Sequence, residues 1–129
     1  MNKEELVKLV ESLGLLTGEY YILGGGSLVL FGIKETTSDL DLCVSEEQFN
    51  VLKEKYKLKE EDKNECGFYH ITDLIEVVPN KKENFQVDND DGYDVEPIRK
   101  ILEFKLKRNA PKDQVHIKKI KKYLEEHKN

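Results

Sequence analysis

Leu23-Gly24-Gly25-Gly26-Ser27-Leu28-Val29-Leu30-Phe31-Gly32, followed after a polar connection by Asp39-Leu40-Asp41-Leu42-Cys43-Val44, is the stretch that decides how this chain folds. Tyr20-Tyr21-Ile22-Leu23 is aromatic and branched and runs straight into three glycines, which is strand chemistry followed by a turn. Ser27 to Phe31 then reads as a short helix ended by Gly32. Beyond Lys34-Glu35-Thr36-Thr37-Ser38, the strict alternation of Asp39, Leu40, Asp41 and Leu42 predicts a strand with both aspartates on one face and both leucines on the other.

Working outward, Leu6, Leu9, Val10 and Leu13 recur at three-to-four spacing before Gly14 and predict an amphipathic helix that covers a sheet face. Ser45 followed by Gln48 is a capping-box pattern, opening a helix with Phe49, Leu52 and Tyr56 on its apolar stripe. Phe68 to Val78 predicts at least one more strand, stopping at Pro79. Asn80 to Asp94 is polar. Within it, Asp88-Asn89-Asp90-Asp91-Gly92 reads as an acidic surface loop, because the glycine comes one residue too early for a calcium loop and Arg99 stands where the bidentate acid would be. Pro97 opens a helix through Ile98, Ile101, Leu102 and Leu106 that Asn109-Ala110-Pro111 breaks. A last helix from about Lys112 is expected to bury Val115, Ile117, Ile120 and Leu124 and to keep Lys118, Lys119, Lys121 and Lys122 wet.

The 129 residues fit one domain, 1–129, with a real core but no room for a separate acceptor-binding domain. A composition of 38% hydrophobic and 36% charged residues excludes a wholly disordered chain, and the absence of a spanning run or a signal-peptide layout points to a cytoplasmic protein without membrane contact. Cys43 and Cys66 have no metal-binding spacing and read as reduced thiols. The net charge of -5 argues against a nucleic-acid coat, although ten Lys or Arg against Glu103 and Asp113 make the segment from Arg99 to Lys122 basic. His70, His116 and His127 do not converge by spacing on a metal and read as structural or surface groups.

Two carboxylates one residue apart on a strand project together, so Asp39 and Asp41 can share hard cations such as magnesium, which takes oxygen ligands. A strand ending in glycines, with Ser27 at the start of the next helix, lets backbone amides approach phosphate oxygens with the hydroxyl as an added donor. No Lys-Ser or Lys-Thr follows the glycines, which excludes a P-loop, and the later glycine of the dinucleotide fingerprint is missing. Strand, Gly-Gly-Ser, short helix, polar loop and Asp-Leu-Asp strand together would bring a phosphate cradle beside a metal site.

In Gly25-Gly26-Ser27 and Asp39-Leu40-Asp41 the chain resembles the nucleotidyltransferase superfamily related to DNA polymerase beta, in particular its minimal toxin-type and antibiotic-modifying members. The resemblance covers roughly the first two-thirds of the chain and includes Lys34 and Thr37. It implies an α/β (α+β) fold, a mixed twisted sheet with helices mainly on one face and C-terminal helices, with the active site where Gly26 meets the aspartate strand. It also implies a third carboxylate on a neighbouring strand. Glu76, between Ile75 and Val77, fits a central strand, and Asp73 is the competing candidate.

The implied activity is transfer of a nucleoside monophosphate from a nucleoside triphosphate, ATP by default, to a hydroxyl on RNA, protein or a small molecule. Asp39, Asp41 and Glu76 would hold magnesium, for which manganese can substitute, and Gly25, Gly26, Ser27, Lys34, Lys105, Arg108 and Lys112 would hold the nucleotide. The small size suggests that a homodimer or a partner protein completes the acceptor site. The alternatives are a non-catalytic nucleotide- or protein-binding module, such as one half of a toxin–antitoxin pair, and an RNA-binding domain using the basic tail. Retention of Asp39 and Asp41 argues against the first, and the lack of an aromatic stacking motif argues against the second.

Overall fold

Asn2 starts the first helix, α1 (Lys3–Ser12), by a reciprocal cap: its side chain accepts from Glu5 N–H while the Glu5 carboxylate accepts from Asn2 N–H. In this computed structural model, which describes residues 1–127, α1 is followed by β1 (Tyr20–Ile22), α2 (Gly24–Leu30), β2 (Leu40–Ser45) and α3 (Glu46–Tyr56). Then come β3 (Tyr69–His70), β4 (Ile75–Asn80), β5 (Asp88–Asp90), β6 (Tyr93–Val95), α4 (Ile98–Arg108) and α5 (Gln114–Glu126). The strands form one mixed sheet in the order β3-β4-β2-β1-β6-β5. β2 runs antiparallel to β1 and parallel to β4, β1 and β6 are parallel, and β3–β4 and β5–β6 are antiparallel hairpins.

Alternation decides which face of the sheet is covered. Leu40, Leu42 and Val44 of β2, Ile75 and Val77 of β4 and Ile22 of β1 are buried in one cluster with Leu6 and Val10 of α1, Val29 and Leu30 of α2 and Leu52 of α3. Those three helices therefore lie on one face, and Asp41 and Glu76, at the intervening positions, belong to the other. α4 and α5 meet the far side of α2 through a second cluster of Leu28, Ile33, Ile98, Ile101 and Ile120. The α/β class and the mixed sheet expected from the sequence are what the chain adopts.

Five local expectations change. The glycines form the first turn of α2 itself, rather than a loop before a helix at Ser27. A side chain on Gly26 would begin 2.7 Å from Ile22 Cγ2, so the bare turn lets α2 lie flat on the sheet. Only half of the capping box at Ser45 forms: Ser45 Oγ accepts from Gln48 N–H, but the Gln48 side chain is buried and accepts from Leu16 N–H. β4 runs through Pro79 to Asn80, because β3 is too short to require an amide there.

The acidic segment expected to be a loop is the β5–β6 hairpin, closed by Asp91 and Gly92 at φ 52° and 88°, a two-residue Asp-Gly turn whose twist suits paired strands. Last, Val115 is 60% exposed although expected in the core, because α5 begins at Gln114 and buries Ile117 and Ile120 instead.

Candidate active site

The acidic half of the site is built by register. In the parallel β2–β4 pair Asp41 stands opposite Glu76, and in the β3–β4 hairpin His70 stands opposite Glu76 from the other side, its Nε2 2.8 Å from Glu76 Oε1. Asp39 is exposed just before β2 begins. Asp41 is half-buried and its Oδ1 is enclosed without a hydrogen-bond partner among the described residues. Burial first, then the negative charges of Asp39 and Glu76, push its carboxyl up to about 6, against the opposing effect of His70. Asp73, the competing third carboxylate, lies exposed in the β3–β4 connection, where Thr72 Oγ1 accepts from Leu74 N–H.

The glycine turn is fastened beside those carboxylates. Leu23 N–H donates to the Asp41 carbonyl at 2.9 Å, and Gly24, at φ +49°, donates its N–H to Glu96 Oε1 at 2.9 Å. A side chain on Gly25 would begin 2.6 Å from Thr37 Oγ1 and 3.6 Å from Lys34 Nζ, so this glycine is where the helix, the following loop and the lysine converge. Met1 and Thr37 exchange backbone hydrogen bonds of 2.9 and 2.7 Å, which holds the loop. Gly26 and Ser27 do not face this convergence. Gly26 packs on the core, and Ser27, fully buried, donates its hydroxyl to the Glu96 carbonyl at 2.7 Å.

The basic half comes from the loop and the C-terminal helices. Burial lowers the Lys34 pKa, the cations of Lys105 and Lys119 lower it further, and Asp39 opposes them, so Lys34 feels both the acidic and the basic side. His116 is held below its usual value by burial and by Lys34, Lys105 and Lys119, with Asp113 opposing. Asp113 is itself buried and anchors the cluster: Arg108 Nε and Nη2 donate to it at 2.8 and 2.5 Å and Lys105 Nζ at 3.3 Å, which holds its carboxyl far below the usual range. Arg108 is thus committed to Asp113, and Lys112 is exposed in the 3-10 turn Pro111–Asp113.

Sequence reasoning missed Gly24, His70, Glu96, His116 and Lys119. A positive φ at the first glycine, a strand hairpin that pairs His70 with Glu76, and a helix that sets Lys119 beside Gly32 and Ile33 are tertiary facts with no local signal. Among the described residues no group of three or more His, Cys, Asp or Glu side chains is arranged so that it could by itself hold a metal ion. Asp41 still offers what a hard dication takes: an enclosed carboxylate oxygen without a partner, on a residue opposite Glu76 in the sheet.

No curated protein and no solved structure matches the chain. A family model described as "Nucleotidyl transferase of unknown function (DUF2204)" matches residues 2–127, a span that contains every element described above. The chain therefore belongs to this family of nucleotidyl transferases of unknown function.

Proposed function

We propose that the protein transfers a nucleoside monophosphate from a nucleoside triphosphate, ATP by default, to an acceptor hydroxyl. The observation that carries this reading is the placement of Lys34 beside Gly25 and within the electrostatic reach of Asp39, where an anionic triphosphate and cations bound to carboxylates would meet. The acceptor oxygen forms a bond to the α-phosphorus, the bond from that phosphorus to the bridging oxygen breaks, and pyrophosphate leaves with the electron pair. Asp39 and Asp41 would hold magnesium, and Glu76 would join them or receive the acceptor's proton. Bound there, magnesium supplies Lewis acidity to phosphoryl oxygens and makes the acceptor hydroxyl more acidic.

The chain's own contribution is charge and position. The bare backbone at Gly25 allows the phosphates a close approach, and Lys34, with Lys105 and Lys119 in its electrostatic surroundings, balances their charge. Ser27 and Arg108 act on structure, holding Glu96 and Asp113. The test is transfer of label from each α-labelled nucleoside triphosphate, with magnesium, into the RNA, protein and small-molecule fractions of a cell extract. Label in one fraction, absent with the Asp39→Asn/Asp41→Asn variant, identifies the acceptor class; no label from folded protein rejects the reading in favour of a binding module.

A further inference from the structure

Resting on that transferase reading, we propose that the acceptor is a single-stranded RNA end, led to the site along one face of α5. Lys119 is the link. It lines a notch of about 200 Å³ with Gly32, Ile33, Lys122, Tyr123 and Glu126, and Gly32 and Ile33 lead directly into Lys34. A chain of cations therefore runs from the glycine turn out along the helix, on the one segment where ten Lys or Arg face only two acids in a protein of net charge -5. That local reversal of sign matches a polyanion and attracts it to this side of the molecule.

The outer end of the path carries stacked rings. Tyr123 and the exposed His127 stack at 3.9 Å and 17°, Phe31 backs Tyr123 at 6.1 Å, and His127 Nδ1 lies 2.8 Å from the Tyr123 carbonyl oxygen, which sets the imidazole plane. Lysines that track a backbone beside an open aromatic face are how single strands are held without reading their sequence. Lys119 and His127 are separated by about 12 Å of helix, a length on the scale of a few nucleotides. The one acid in the notch, Glu126, is drawn toward Lys122 at 3.9 Å. RNA is the nucleic acid that routinely presents unpaired ends with free hydroxyls, whereas duplex DNA hides its base faces.

The experiment is fluorescence anisotropy of a 5′-labelled 12-nucleotide single-stranded RNA with the full chain at 50 and 200 mM KCl, with magnesium–ATP binding measured separately by calorimetry. Wild type is expected to bind the RNA with steep salt dependence. Lys122→Glu/His127→Ala is expected to weaken it at least tenfold and leave ATP binding unchanged, and Lys122→Gln alone to flatten the log–log salt slope by about 0.7. ATP bound without RNA, equal RNA binding by the double variant, or a duplex that binds as tightly as the single strand overturns the proposal. RNA bound without ATP instead overturns the transferase reading.

Discussion

Asp41 and Glu76 occupy directly opposed positions of the parallel β2–β4 pair, so the spacing of their backbones is set by the sheet ladder and not by a loop. The Asp41 side chain sits in a surrounding that resists its negative charge.

Asp41→Asn is expected to raise the melting temperature at pH 7.5 while abolishing transfer. A carboxyl raised from 3.8 to about 6 is stabilised in the fold when protonated. Its ionisation therefore opposes folding fully above about pH 6, and the penalty fades as pH falls toward the unfolded value. Melting curves of both proteins from pH 4 to 7.5 check this, and the gain should disappear near pH 4.

Magnesium should raise the melting temperature of the wild type at pH 7.5 and do so less at pH 5, where a larger share of Asp41 is protonated. The Asp41→Asn protein should lose most of the shift at both values.

Gly25→Ala is expected to abolish nucleotide binding, because the new methyl begins 2.6 Å from Thr37 Oγ1. Adding Thr37→Ala removes that oxygen and leaves the residue-37 Cβ at 3.4 Å as the next neighbour, an ordinary contact, so the double variant should recover part of the affinity by calorimetry.

Ser27→Ala should cost about 1 kcal/mol of stability, the worth of one buried hydrogen bond, and leave the Kd for magnesium–ATP unchanged. Chemical denaturation and calorimetry on one preparation separate the two effects. A tenfold loss of affinity would place the hydroxyl on the phosphates after all.

Asp113→Asn should loosen α4 and α5 more than any exposed acid-to-amide change, since it strands Arg108 and Lys105 against a neutral partner. The wild-type carboxyl is held below its ordinary value, so the stabilisation is present above the unfolded value of 3.8 and lost as pH falls below it. Hydrogen exchange in residues 98–126 reports the loosening.

The parts legible in the sequence were those with a local period or a local cap. Alternation in Asp39-Leu40-Asp41-Leu42 identified the catalytic-strand candidate, and apolar spacing located α1, α4 and α5. A hydroxyl after glycines has the same sequence whether it faces a ligand or, as Ser27 does here, a backbone carbonyl 69 residues away. The β5–β6 hairpin was obscured by polarity: β5 is the rim of the sheet, where aspartates are tolerated, and Asp91-Gly92 was the surviving signal of the turn. The basic cluster was visible as composition, but that Asp113 pairs with Arg108 and Lys105 while Lys34 stays beside Gly25 depends on how α4 and α5 cross.

The order of the strands also bears on how copies of this protein coexist at high concentration. One rim of the sheet is the two-residue β3 and the other is β5, which carries Asp88 and Asp90. Like rims that approach each other meet short ladders on one side and like charge on the other, so the sheet stops growing at its own boundary. Exchange of Asp88 and Asp90 for neutral residues lifts half of this guard, and the edge it opens lies at the hairpin, two strands away from the carboxylates of β2 and β4.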